Sequence, residues 1–276
     1  MGGARRAPRA RDRILGARLR AIRRERTNLS LERAAALAQW SPATMSRLET
    51  GKRHIAPEDV ATIATIYKLP VSQREELIEA ARAGDSSGWW DRLLPGMPME
   101  MGTLASYEAD AYRLTDWSAT LVPGLLQTYE YAVGLLRSGG VDPADIKMRW
   151  MARLRRQQIL GTVDYTAYIA EAPLRTPFGG AGALKGQLRH LAAAYIRGIG
   201  IRIVPAHIPC NMLIHSWLLL EFPNTPPVVN VEMMNGSIYL HDEEAENYLD
   251  VLARLDRIAL SAAESRSLLQ RLLEEM

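Results

Sequence analysis

The sequence holds a single cysteine, Cys210, among 276 residues. No internal disulfide can form, and a reducing compartment suits such a chain. No apolar run approaches the roughly 18 residues of a membrane span, and the arginine-rich start has no apolar core of the kind a signal peptide needs. A cytoplasmic protein with no membrane association is therefore expected. Catalytic signatures are missing too: there is no phosphate loop, no Gly-x-Ser-x-Gly, no His-Glu-x-x-His and no paired catalytic carboxylate. The glycines of Phe178-Gly179-Gly180-Ala181-Gly182 lack the strand-then-helix context of a nucleotide cradle. The five histidines, His54, His190, His207, His215 and His241, show no ligand spacing. His207 and Cys210 lie three apart beside Pro205 and Pro209, but two ligands do not make a zinc site. His241-Asp242-Glu243-Glu244 has metal-like residue types, yet acids at a helix start are better explained by the helix dipole. No catalytic residue, cofactor or metal is expected; an enzyme would have to rest on Glu171, His207 and Cys210 alone.

At 47% hydrophobic and 24% charged residues, the composition is that of a globular protein of one to three domains. Net charge is +3, and its distribution is uneven. Residues 1–84 hold 17 Lys/Arg against 9 Asp/Glu, whereas residues 85–276 hold 17 against 22. The whole N-terminal excess is present by Ser30, where ten arginines face Asp12 and Glu25. A basic arm of this kind supplies phosphate binding and electrostatic steering, or else only solubility; Arg5, Arg6 and Arg9 fit either role.

The most informative stretch is Ser30–Arg53, SLERAAALAQWSPATMSRLETGKR. Ser30 is a helix N-cap residue type, and Leu31, Ala34, Ala35 and Ala38 follow at helical spacing. Ser41-Pro42 opens a second helix with a capping oxygen and a proline at N1, where the missing N–H costs nothing. Met45 and Leu48 face inward; Ser41, Ala43, Thr44, Ser46 and Arg47 stay outside. Gly51 ends the helix in a left-handed cap, with Lys52 and Arg53 directly behind it. Short polar side chains and an arginine within one helical turn suit base edges in a major groove, and the helix N-terminus suits a phosphate. An ordinary helical hairpin with a solvated polar face is the alternative. On the preceding helix, about Arg11–Arg26 with Ile14, Leu15, Leu19 and Ile22 as its apolar stripe, the residues Arg18, Arg20, Arg23 and Arg24 are expected near phosphates.

From Leu15 to about Leu69 the pieces LGARLRAIR, LSLERAAALA, SPATMSRLETG and the helix starting near Pro57 resemble the Xre/Cro-type helix-turn-helix domain of bacterial repressors. The resemblance implies binding to double-stranded DNA through Ser41, Ala43, Thr44, Ser46, Arg47, Lys52 and Arg53, with Arg20 and Arg24 on the backbone. One departure stands out: Gln39 followed by Trp40 replaces the usual turn glycine. A non-glycine residue in a left-handed turn costs about 1 kcal/mol.

Further along, Pro57-Glu58-Asp59 opens a fourth helix, and Val60, Ile63, Ile66 and Tyr67 complete a small core. Ser72-x-x-Glu75 reads as a capping box for a fifth helix. Gly84–Gly88 is a linker signal and places a domain boundary there, giving a basic arm over 1–10, a DNA-binding domain over 11–84 and a second domain over 85–276. In that second domain, residues 104–137 read as helices interrupted at Pro123-Gly124, and 143–160 as a basic helix. Val163–Ala170, Ile199–Pro205, Met212–Phe222, Val228–Met234 and Ser237–His241 read as strands, with Asn235-Gly236 a hairpin signal. Helices return at Ala183–Arg197 and Glu244–Ile258, and Ser261-x-x-Glu264 caps a last helix through Glu275. The expected fold is α+β: an all-α bundle of about five helices, then a mixed domain with a small sheet.

The segments LASYEADAYRLTDWSATLVPGLLQTYEYAVGLL, RLRRQQIL, YIAEAPLR, QLRHL and IRIVP are similar to one family. It is the C-terminal domain of uncharacterised function found in actinobacterial helix-turn-helix regulators. That resemblance implies a transcription regulator, often encoded beside a small partner protein in arrangements likened to toxin–antitoxin pairs.

Val122–Thr128 admits two readings, the lining of a pocket or partner groove and a helix break packed on the sheet. Glu108, Gln127, Arg153, Arg156, Gln157 and Glu171 are polar positions in apolar patterns. Buried charges must be paired, so an internal Arg–Glu network is expected, with a ligand or partner site as the other use. A homodimer is expected as well, because one helix-turn-helix reads few base pairs. Trp89, Trp90, Trp217–Leu220, Leu268, Leu269 and Leu272 are the apolar residues available to hold it.

Overall fold

A computed structural model describes residues 10–83, 99–208, 215–223, 225–233 and 236–276. The basic arm with Arg5, Arg6 and Arg9, the linker at Gly84–Gly88, Trp89, Trp90, Pro209 and Cys210 lie outside the described residues. The chain divides into two compact units.

The first unit is built on five helices: α1 (Ala10–Arg26), α2 (Leu31–Leu37), α3 (Pro42–Glu49), α4 (Pro57–Ile66) and α5 (Val71–Ala83). Leu19, Ala34, Ala35, Met45, Leu48, Val60, Ile63 and Leu77 form its core. The two alanines let α2 and α3 cross closely. Gly16 does the same for α1 and α3, since a Cβ there would meet the Leu48 carbonyl oxygen at 2.3 Å. The expected capping box at Ser72 is not at the helix end: α5 begins at Val71, and the Pro70 carbonyl accepts from the Arg74 N–H. Residues Gly102–Asp110, the C-terminal part of α6 (Met99–Asp110), group with this unit.

The second unit carries a six-stranded mixed sheet in the order β3-β2-β1-β4-β5-β6. Its strands are β1 (Arg113–Ser118), β2 (Asp164–Ala170), β3 (Gly200–Val204), β4 (Trp217–Phe222), β5 (Thr225–Met233) and β6 (Gly236–Leu240). β1 pairs parallel with β2 and antiparallel with β4, and β2 pairs parallel with β3. The strand β1 corrects the all-helical expectation for residues 104–137. Leu114, Thr115, Trp117 and Ser118 are all buried, so both faces are covered and the stretch has no simple inside–outside alternation. The expected hairpin joins β5 to β6, with Met233 opposite Gly236; Asn235 lies outside the described residues.

Helices α7 (Tyr129–Ser138), α8 (Pro143–Arg156), α9 (Ala181–Ala192), α10 (Asp242–Ile258) and α11 (Ala262–Glu274) complete the unit. On one sheet face, Trp117, Tyr168, Trp217 and Leu219 pack with Ala245 and Leu255 of α10. The edge strand β3 is closed off by the α10–α11 junction. The Ile203 N–H donates to Ser265 Oγ at 2.9 Å, and the Ile203 carbonyl accepts from the Leu260 N–H at 2.8 Å. The capping box at Ser261 and Glu264 forms as expected. Trp217–Leu220, Leu268, Leu269 and Leu272 are buried within this unit, which removes them from the surface available to a second copy.

Candidate nucleic-acid interface

The corner between α2 and α3 is fixed by backbone bonds at both helix ends. At the end of α2, the Gln39 N–H donates to the Ala36 carbonyl and the Trp40 N–H to that of Ala35, with Gln39 at φ 57°. This is the Schellman pattern that glycine usually serves; Gln39 adopts it here, so the departure from the usual turn glycine leaves the bonding pattern of the turn in place. At the end of α3, Gly51 (φ 57°) and Lys52 repeat the pattern onto Leu48 and Arg47. Glycine is required at this second position because a Cβ would lie 2.2 Å from Arg13 Cα.

The start of α3 is capped as expected, with Ser41 Oγ accepting from the Thr44 N–H at 3.1 Å. Ser41, Ala43 and Arg47 are exposed; Thr44 and Ser46 are half-buried. Thr44 Oγ1 lies 2.9 Å from Ser41 Oγ, so these two hydroxyls pre-orient each other. Lys52 is exposed. Arg53 is not a free cation: its guanidinium pairs with Asp59, donates to the His54 carbonyl and lies 5.7 Å from the Trp40 ring centroid. Asp59 in turn accepts from the Ala56 N–H at the start of α4. Arg53 thereby ties the α2–α3 turn to α4.

The α1 arginines part ways. Arg24 is exposed and Arg20 half-buried, while Arg18 pairs with Glu76 at 2.7 Å. Arg23 is turned inward, a correction to its expected place at phosphates. Its Nε and Nη2 donate to the buried Glu49 carboxylate at 2.6 and 2.8 Å, and Nη1 donates to the Leu29 carbonyl. Tyr67 OH donates to the same carboxylate at 3.3 Å; burial, with the Glu49 charge, pushes the Tyr67 pKa up. One buried anion therefore joins α1, α3 and α4. Sequence offered a signal for this, since Arg23 falls four residues after Leu19 on the apolar stripe.

The six residues of the expected Arg–Glu network do not all belong to one unit. Four of its six members gather at the Val122–Thr128 turn, which three glutamine amides pin in place. Gln127 Nε2 donates to the Val122 carbonyl, and Gln157 Nε2 to those of Gly124 and Gln127. Gln187, fully buried and not singled out in the sequence, donates to the Leu126 carbonyl and accepts from the Thr128 N–H. A Cβ on Gly124 would lie 3.6 Å from Arg153 Nε and 3.9 Å from Arg156 Nη1, so both guanidinium groups border this turn. Glu171 is elsewhere: it accepts from the Ala206 N–H and from Arg175, bonds that hold its pKa below the usual carboxylate range. Glu108, also buried, is on α6 in the first unit. Among the described residues, no three His, Cys, Asp or Glu side chains gather as metal ligands, and no helix is long and apolar enough to cross a membrane.

A capped, exposed second helix on a five-helix core defines a helix-turn-helix protein, here joined to an α+β unit. A model described as Helix-turn-helix domain matches residues 14–77, which indicates DNA binding. The chain belongs to the family described as Domain of unknown function (DUF5753), whose model matches residues 101–271, more than half its length. No curated protein and no solved structure matches the chain.

Proposed function

We propose that the chain is a sequence-specific, dimeric transcription regulator of the Xre/Cro type. Its N-terminal domain reads double-stranded DNA through α3, and its C-terminal domain receives a ligand or a small partner protein and holds the dimer. The observation that carries this reading is the outward face of α3. Ser41, Ala43 and Arg47 stand exposed on a helix whose two ends are locked by Ser41 and Gly51. In a major groove such a face offers Arg47 to guanine or phosphate, Thr44 and Ser46 to base edges, and the helix N-terminus to a phosphate. Lys52, Arg53, Arg20 and Arg24 complete the basic surround; Arg53 acts through its hold on Asp59 as much as through its charge.

An antitoxin-like role, sequestering a small partner, is a second reading. It is favoured by the exposed apolar side chains Tyr129, Met151 and Leu154 on α7 and α8. Sedimentation and footprinting on an operator selected from random DNA test the dimer. Two protected half-sites about one helical turn apart are expected. A full-length monomer at micromolar concentration with one undivided footprint would overturn it.

A further inference from the structure

The α+β unit holds a cation whose buried donors its own fold leaves without acceptors. Arg153 Nε and Nη1 are sealed from solvent and have no hydrogen-bond partner. The residue as a whole is half-buried. Burial pulls the Arg153 pKa down to about 10, Arg156 and Arg149 push the same way, and the exposed Glu232 opposes them. A buried donor without an acceptor costs about 1–3 kcal/mol, and more when charged.

At the bordering turn, Gln127 Oε1 is also buried without a partner and makes no bond to this guanidinium. Arg149, Arg153 and Arg156 recur at i, i+4 and i+7 along one side of α8, so no acid separates them. The carbonyls of the roofing turn, those of Val122, Gly124, Leu126 and Gln127, already receive the amides of Gln127, Gln157 and Gln187. A Cβ on Gly124 would stand at ordinary contact distance from the guanidinium groups of Arg153 and Arg156, so the glycine leaves only methyl-sized room there. A rigid turn, an unsatisfied planar fork and a second arginine on the same space make a receptor lacking its anion.

We propose that Arg153, with Arg156 and Arg149 beside it, binds a doubly charged oxyanion. It is either the phosphate of a phosphorylated small molecule or the carboxylates of a dicarboxylic acid. This deepens the reading of the C-terminal domain as a ligand receiver and rests on it. A guanidinium recessed in this way admits a terminal oxyanion group rather than an extended chain.

The test titrates inorganic phosphate and, separately, succinate into the full-length protein against sodium chloride of equal ionic strength, followed by thermal denaturation and calorimetry. A saturable rise in Tm is expected with one of them, and the stronger anion identifies the source. Arg153→Met should abolish the response while melting no lower than the parent without anion, because it removes buried donors that had no acceptor. Arg153→Lys should weaken binding about tenfold or more, having charge without the fork. Gly124→Val, which fills the space over the fork, should also abolish the response and keeps the test valid if Arg153→Met does not fold. No saturable response in the parent, or an equal response in the folded variants, would overturn the proposal. DNA binding measured in phosphate-free buffer separates the two readings. Anion binding without DNA binding would sink the regulator and leave the site standing; the reverse would remove only the site.

Discussion

Replacing Glu49 with alanine should disable the helix-turn-helix unit without touching its outer surface. The Glu49 carboxylate is buried at 2% exposure and receives two bonds from Arg23 and one from Tyr67. Removing it leaves the Arg23 guanidinium buried with only the Leu29 carbonyl. Breaking a buried pair from one side costs about 3–5 kcal/mol, because an uncompensated charge remains. A domain of this size loses about 4–8 °C per kcal/mol, so its melting transition should fall by on the order of 15–30 °C. Because Glu49 ends α3, DNA affinity should fall with the folded fraction and not through any lost contact. Urea denaturation followed by circular dichroism, with anisotropy on labelled DNA, reads both effects. The double change Glu49→Leu with Arg23→Met should recover most of the loss, since an apolar replacement of a buried pair is often neutral or stabilising. If Glu49→Ala stays within about 1 kcal/mol of the parent, or the double variant is as unstable as the single one, the pair does not hold the helices together.

Gln39→Gly should stabilise the same unit by about 1 kcal/mol, because Gln39 is exposed at φ 57°, a conformation glycine adopts without cost. Equilibrium urea unfolding measures it, and a destabilised variant would refute the strain. Stability of the second unit should fall in acid partly through Glu171. Its pKa is depressed by the Ala206 N–H and by Arg175, so its contribution is present at neutral pH and disappears as pH drops below the usual carboxylate range. Thermal melts of Glu171→Gln should therefore show a shallower acid loss than the parent; parallel curves would exclude that role.

Much of the first unit was legible because its signals are local. Ser30, Ser41-Pro42 and Gly51 each mark a helix end through one or two backbone bonds, and the apolar spacing between them needs no distant partner. The strand β1 was not legible in the same way. Leu114-Thr115-Asp116-Trp117 is short, and only its neighbours Tyr165 and Leu220 in the pairing register make it the centre of a sheet. The polar residues of the candidate sites were visible as a class but not as partners. Gln127 and Gln157 stood out in apolar surroundings, yet their acceptors are the carbonyls of a turn whose position depends on tertiary packing. Arg23 looked like its neighbours Arg20 and Arg24, and a stripe position rather than charge separates it from them.

The central claim is that α3 reads bases. Anisotropy titrations of Arg47→Ala and Arg24→Ala against the selected operator and a scrambled duplex test it most directly, at one fixed salt concentration. Arg47→Ala should lose about 1–3 kcal/mol on the operator and little on the scrambled duplex. Arg24→Ala should weaken both by the same factor, as a phosphate contact does. If Arg47→Ala lowers both affinities equally, Arg47 contacts only the backbone. If neither affinity changes, α3 does not face DNA and the account fails.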